Sequence, residues 1–227
     1  MREMIIPLFK VGKREHLELL KEGKVHFTPL SYFREDGTAF RGDEFEGKYR
    51  CQGLTIDGIE LPSSGAKITL FHADSDDVLI FCASMLDSSN YQRISDHVCN
   101  LTDSFLAEMR KFGRYAVVFD CVQFIDSIQN ALNGVRCNSA WGPVAYCNKN
   151  DFTRIGKCRK NVEARLSDAA IYFIKDELYQ AQNEWRFSID WLNPASVLKR
   201  NKDGSLDLQV APIQMSDIID LNAVKNL

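Results

Sequence analysis

A chain of 227 residues, 45% hydrophobic and 26% charged, has the ordinary make-up of a folded domain and enough apolar material for a sizeable core. A formal net charge of −3 excludes the global basic footprint that drives nucleic-acid binding, though not a local patch. No apolar run approaches the length of a membrane span, and the opening "MREMIIPLFK" lacks a signal-peptide core, so the sequence predicts a cytoplasmic protein with no membrane partner.

The predicted elements open strand–helix–strand. "MIIPLFKV" is a short apolar strand; "GKREHLELLKEG" carries Leu17 and Leu20 at helical spacing and stops at Gly23; "KVHFTPL" is a second strand. "SYFREDGTAFRGDEFEGKYR" reads as a Gly-punctuated loop whose aromatics Tyr32, Phe33, Phe40 and Phe45 argue for packing on the body. Such packing would fix Arg34 and Arg41, and a fixed guanidinium suits a bidentate grip on phosphate; local Arg–Asp surface pairs are the plainer reading. "GLTIDGIEL" predicts a hairpin about Asp57-Gly58, and "AKITLFHA" and "DVLIFCASM" predict a further pair of strands flanking "DSDD". A helix is predicted over 92–111, with Ile94, Val98, Leu101, Phe105, Leu106 and Met109 as its stripe. "YAVVFDCVQF" is a buried strand, "FIDSIQNAL" a short helix before Gly134, and "WGPVAYC" and "DAAIYFIKD" read as extended.

In "DELYQAQNEWRFSID" the period becomes two, with Trp185, Phe187 and Ile189 on one face and Arg186, Ser188 and Asp190 on the other. The tail predicts a hairpin about Asp203-Gly204 and a final strand or helical turn. These elements define one α+β domain over 1–227, mainly of antiparallel strands with flanking helices. The strands near 5–11, 24–28, 78–83, 115–121 and 184–190 are expected to share one cleft-forming core.

Several chemistries find no support. None of the seven cysteines forms a C-x2-C or C-x4-C pair, so no metal site is predicted; Cys82 and Cys121 sit in apolar runs as small hydrophobes. There is no G-x-S-x-G, P-loop or G-x-G-x-x-G. His26 lies mid-strand, facing a cleft or solvent. Asp74, Asp76 and Asp77 read as a solvated turn. Asp43, Glu44 and Glu46 form a second acidic cluster, and Glu184 stands at the mouth of its strand with Gln182 two residues before it.

The pieces "LFKV", "KVHFTPLSYF", "DEFEG", "IFCAS", "YAVVFD" and "NEWRF" together resemble ADP-ribosyltransferase-fold proteins, including DarT-like and RNA 2′-phosphotransferase-like enzymes. They are also similar to an uncharacterised bacterial, phage-defence-associated family that ends in an E-W-R strand motif. The resemblance spans most of residues 5 to 190 through short, loose motifs. It implies a split-sheet cleft and transfer of ADP-ribose from NAD to a macromolecular target, nucleic acid or protein. It further implies a toxin or anti-phage effector, with an antitoxin or inhibitor as a further partner. Gln182-x-Glu184 matches the catalytic pair of that superfamily: Glu184 would stabilise the oxocarbenium-like ribose and take a proton from the nucleophile, Gln182 would position the target, and Arg186 would hold Glu184 by a salt bridge. Lys10, Thr28, Tyr32, Arg41 and Ser84 would line a dinucleotide pocket, an aromatic among them stacking on nicotinamide. The chain departs from the family in having Lys10 where His or Arg stands on the first strand, and Ala83-Ser84 in place of Ser-Thr-Ser.

Two other functions fit parts of the chain. A metal-dependent nuclease would use Asp43, Glu46 and Glu184, and a non-catalytic binding module would use the aromatic loop over 32–49. Glu184 could equally be a surface carboxylate paired with Arg186 or Lys175.

Overall fold

The computed structural model describes residues 6–38, 42–43, 46–52, 55–56, 59–60, 67–71, 75–93, 99–148, 152–192 and 198–224. Alternation sets its strands. Val25, Phe27 and Pro29 are buried along one face of Lys24–Pro29 while Lys24 and His26 stay exposed. Eight strands, numbered in chain order, form the main sheet: β1 (Pro7–Gly12), β2 (Lys24–Pro29), β3 (Leu79–Met85), β4 (Tyr115–Asp120), β5 (Cys137–Pro143), β6 (Glu184–Leu192), β7 (Leu206–Gln209) and β8 (Ile219–Asp220). The order is β5-β6-β3-β1-β4-β8, with β2 also against β3 and β7 against β2, and every pairing is antiparallel. All five strands expected to share a core are in this sheet.

The register of β3 creates an opening in the sheet. One edge of β3 is zipped to β6 from Leu79↔Ile189 to Ser84↔Glu184. On the other edge β2 takes Leu79 and Ile80, whereas β1 takes Ser84 and Met85. Between them, residues 81–83 pair with no strand on that side among the described residues. The sheet therefore forks. Lys10 reaches across the fork: its Nζ donates to the Cys82 carbonyl at 2.6 Å and lies 4.6 Å from the Phe81 ring. A backbone acceptor left open by the split is thus satisfied by a side chain.

Helix α1 (Arg14–Lys21) buries Leu17 and Leu20 and ends at Gly23, whose φ of +89° only glycine takes readily. Helix α4 (Cys121–Leu132) starts where Asp120 accepts the Gln123 N–H, so the expected buried strand stops at 120. It lays Phe124 on the sheet, 4.7 Å from Phe81, 5.0 Å from Phe119 and 6.1 Å from Trp185 between ring centroids. This face holds the largest apolar cluster, Trp185, Phe187 and Ile189 included. The opposite face of β6 is covered as well, by Leu30, Ile80 and the 3₁₀ segment Ser167–Phe173. The polar side of the β6 alternation is consequently buried rather than wet.

Other elements differ from expectation. Leu30–Glu35 is a short helix, α2, in place of the start of a loop, with Pro29 setting its entry. The predicted 92–111 helix is confined to α3 (Asp103–Arg110), because the Thr102 hydroxyl caps it; Tyr91–Arg93 and Cys99–Leu101 pair as a hairpin, and Ile94 and Val98 lie outside the described residues. Lys67–Phe71 pairs with Lys48–Gln52 and not with β3. Thr55–Ile56 and Ile59–Glu60 pair as expected about Asp57-Gly58, which itself lies outside the described residues. Of the extended run expected over 168–176 only Ile174–Asp176 is strand, and it pairs in parallel with Ala145–Cys147. Helix α5 (Phe152–Leu166) was not foreseen. The turn at Asp203-Gly204 forms, with the Asn201 N–H bonded across it to the Ser205 carbonyl at 2.8 Å, and the strand beyond it, β7, pairs with β2. No helix among the described residues is long and apolar enough to cross a membrane.

Since α4 meets the sheet chiefly through the fully buried Phe124, Phe124→Ala should cost about 3–5 kcal/mol, read as a lowered urea midpoint. An unchanged midpoint would mean that α4 does not seal this core.

Candidate functional site

The site begins with a kink. The 3₁₀ segment Glu177–Gln182 ends at Asn183, whose φ of +43° is the left-handed conformation that asparagine tolerates better than most residues. Asn183 Nδ2 donates to the Met85 carbonyl at 2.7 Å and to Asp87 Oδ2 at 2.9 Å, while its own carbonyl accepts the Met85 N–H. The chain then enters β6 at Glu184. Across the kink Gln182 and Glu184 converge on one ammonium: Lys175 Nζ donates to Gln182 Oε1 at 3.1 Å and to Glu184 Oε2 at 2.9 Å.

Arg186, on the same face two residues along, completes the cluster. Its Nε donates to Glu184 Oε1 at 2.6 Å, its Nη1 and Nη2 grip Glu46 at 2.8 and 3.1 Å, and Nη1 also reaches the Tyr172 carbonyl at 2.5 Å. Glu46 is completely buried, and its backbone carbonyl accepts from Arg34 Nε at 2.7 Å. Gly47 follows it at φ +64°, where a Cβ would stand 2.5 Å from Leu30 Cδ2. Arg34 is itself bonded to Asp76 and Ser75, so the segment carrying Asp76 and Asp77 anchors an arginine and is not purely solvated; Asp74 lies outside the described residues.

The electrostatics follow from burial and pairing. Burial raises the Glu184 carboxyl, but the Arg186 guanidinium and Lys175 ammonium outweigh it and hold the group well below its ordinary 4.5. Burial likewise works against the Lys175 charge, which Glu184 and Glu46 more than restore. Burial and the neighbouring carboxylate push the Cys82 thiol up, so it is no thiolate nucleophile.

Most of the predicted residues meet. A cavity of about 920 Å³ opens at the fork of the sheet, and Lys10, Thr28, Tyr32, Ser84, Gln182 and Glu184 all line it, with Lys175 beside them. That size falls in the range of small-molecule sites. Tyr32 is half exposed on α2, and Ser84 is the cross-strand partner of Glu184, its hydroxyl 3.2 Å from Met109 Sδ. Arg41 lies outside the described residues. His26 stays exposed at the cavity rim, bonded to Asp207 at 2.8 Å.

Glu184 does pair with Arg186 and Lys175, both at once, though in the interior and not on the surface. Glu46 was a metal ligand only in the alternative nuclease reading, and its carboxylate is spent on Arg186. Among the described residues no group of three or more His, Cys, Asp or Glu is placed to hold a metal, and a cation ligated by Glu46 and Glu184 would first have to displace the guanidinium between them. The donor set does not fit the nuclease reading. The pairing of Lys175 with Glu184 was expected but not its burial or its bond to Gln182, and Tyr146, whose hydroxyl accepts the Glu184 N–H at 2.8 Å, was missed. A lone lysine after the apolar "AAIYFI" was the available signal for the burial of Lys175. No protein-family model matches the chain, and comparison with curated proteins and with solved structures yields no significant match.

Removing one member of a buried pair strands the other charge, so Glu46→Gln should destabilise the protein by about 3–5 kcal/mol in equilibrium unfolding. Glu184 ionises more readily folded than unfolded. Its contribution is therefore complete above pH 4.5 and lost as pH falls below that value. The stability gap between wild type and Glu184→Gln should narrow on that acid side; a gap independent of pH would contradict the depressed carboxyl.

Proposed function

We propose that the protein is an NAD-dependent ADP-ribosyltransferase acting on a macromolecular target, nucleic acid or protein, as a toxin or phage-conflict effector. The observation that carries this reading is the convergence of Gln182 and Glu184 on the wall of the fork cavity, beside Lys10, Thr28, Tyr32 and Ser84. Breaking the bond between ribose and nicotinamide leaves positive charge on the sugar while the leaving group keeps the electron pair. An ionised carboxylate set at that point stabilises the charge and, by accepting a ribose hydroxyl, orients the sugar. Arg186 and Lys175 each take one Glu184 oxygen and the Cys82 thiol bonds the same carboxylate, which leaves a lone pair for such a hydroxyl. The two cations also make Glu184 a weak base. Its part is then electrostatic and orienting, and the proton of the target nucleophile goes elsewhere. Lys10 supplies an ammonium for diphosphate oxygens, and the exposed Tyr32 ring a face for nicotinamide.

One observation favours a second reading. Both Glu184 oxygens already bond a cation, which reduces the charge delivered to a transition state, as expected of a non-catalytic binding module on the same scaffold.

Incubation with NAD separates the two. The transferase releases free nicotinamide, and Glu184→Gln lowers that release by about 10²-fold or more when assayed well below the variant's melting temperature. NAD binding without release supports the binding module, and release unaffected by Glu184→Gln removes the residue from the chemistry.

A further inference from the structure

We infer that the parallel strand pair Ala145–Cys147 and Ile174–Asp176 is a mount for Glu184, with Tyr146 and Lys175 as positioning residues that fix its backbone and its carboxylate together. This role deepens the transferase reading and rests on it for turnover alone. Tyr146 and Lys175 are register partners on the two strands. From that shared position the Tyr146 hydroxyl accepts the Glu184 N–H at 2.8 Å, while Lys175 Nζ holds Glu184 Oε2 at 2.9 Å. Val144, at the entry to the first strand, donates its N–H to the Glu184 carbonyl at 2.9 Å. One small element thus grips the amide, the carbonyl and the carboxylate of a single residue.

Lys175 extends the hold to Gln182. An ammonium has donors only, so the Gln182 amide must turn its oxygen to Lys175, and the pair flanking the kink is set by one nitrogen. Lys175 is only 4% exposed and Tyr146 is half-buried, and the burial of its hydroxyl keeps that group protonated. Two features of the mount are independent of its fold-building role. Lys175 could be any apolar residue for the sake of packing, and a phenylalanine would fill the volume of Tyr146. The polar ends meet Glu184 and its surroundings: the Lys175 ammonium also holds Gln182 and lies 4.0 Å from Glu46 and 4.8 Å from the Tyr179 ring centroid.

The groups that face Glu184 are Arg186 from β6, the Cys82 thiol from β3, and Tyr146 and Lys175 from the mount, with Glu46 behind Arg186. Taking away Lys175 leaves burial opposed by Arg186 and the Cys82 hydrogen bond, so the carboxyl protonates at higher pH.

The test uses the full chain, carbon-labelled at glutamate side chains, with wild type, Lys175→Met, Lys175→Arg and Tyr146→Phe compared. In Lys175→Met the protonation midpoint of Glu184, followed by NMR, should rise by about one pH unit or more, and Lys175→Arg should restore the low value. Nicotinamide release should show the same upward move of its acid limb, with kcat lowered about tenfold or more and KM little changed. Tyr146→Phe keeps every charge; it should leave the midpoint alone, speed hydrogen exchange at the Glu184 amide and lower kcat. A Glu184 midpoint in Lys175→Met equal to that of wild type, or unchanged exchange in Tyr146→Phe, overturns the mount. If Lys175→Met does not fold, the exchange measurement on Tyr146→Phe decides. A wild type that releases no nicotinamide sinks the transferase reading, while the two NMR measurements still decide this one.

Discussion

Everything around the cavity depends on a guanidinium with no access to water. Arg186 is 2% exposed, and an isolated ion in that position would cost several kcal/mol in lost hydration. It is tolerable only because Glu46, Glu184 and the Tyr172 carbonyl occupy its donors. Those three groups belong to the turn before Lys48–Gln52, to β6 and to the 3₁₀ segment Ser167–Phe173, far apart in the chain. The demand of one buried cation therefore ties three segments to the face of the sheet opposite the aromatic core. A well-packed apolar residue could stabilise that face as well. What an apolar residue could not do is hold a carboxylate ionised at the edge of a cavity.

The cavity itself comes from strand pairing. Because β3 shares one edge between β2 and β1, the two part around residues 81–83, and Lys10 crosses the gap to the Cys82 carbonyl. On the other edge the pairing with β6 is continuous and places Glu184 opposite Ser84, beside the fork. The fork and the carboxylate are thus linked through a single strand. A slip of β6 by one residue would send Glu184 and Arg186 into the aromatic core, where no partner could meet their charge. Burying ions fixes the register as firmly as burying Trp185 and Phe187 does.

Short-range signals carried the sequence reading well where alternation or a cap decided the element. Leu17, Leu20 and Gly23 marked α1, and Trp185, Phe187 and Ile189 marked β6, as the structure has them. Lys10, Thr28, Tyr32 and Ser84 were expected to share a pocket, and they line one cavity together with Gln182 and Glu184. The reading failed where pairing between distant segments was decisive. Nothing local in "SLDLQV" says that it joins β2. The apolar run Ala169–Phe173 suits a strand or a helical turn equally, and periodicity cannot choose. Thr102 was an available capping signal that the long apolar stripe over 94–109 concealed. Glu46 was the hardest: a carboxylate among charges in a loop looks solvated until its arginine, 140 positions away, is in place.

The kink at Asn183 ties the end of β3 to the start of β6. In a regular strand, residues two apart lie on one face but point in parallel, about 7 Å apart, and do not converge. A left-handed residue between Gln182 and Glu184 breaks that parallelism, so both side chains reach the same lysine. A β-branched residue at 183 would resist this conformation, and glycine would accept it without the two side-chain bonds that pin it to Met85 and Asp87. Asparagine meets both requirements. The spacing that looked like a motif in the sequence is therefore a backbone property. It is the turn from 3₁₀ segment to strand, held at its corner by Asn183, that brings an amide and a carboxylate to one point on the cavity wall.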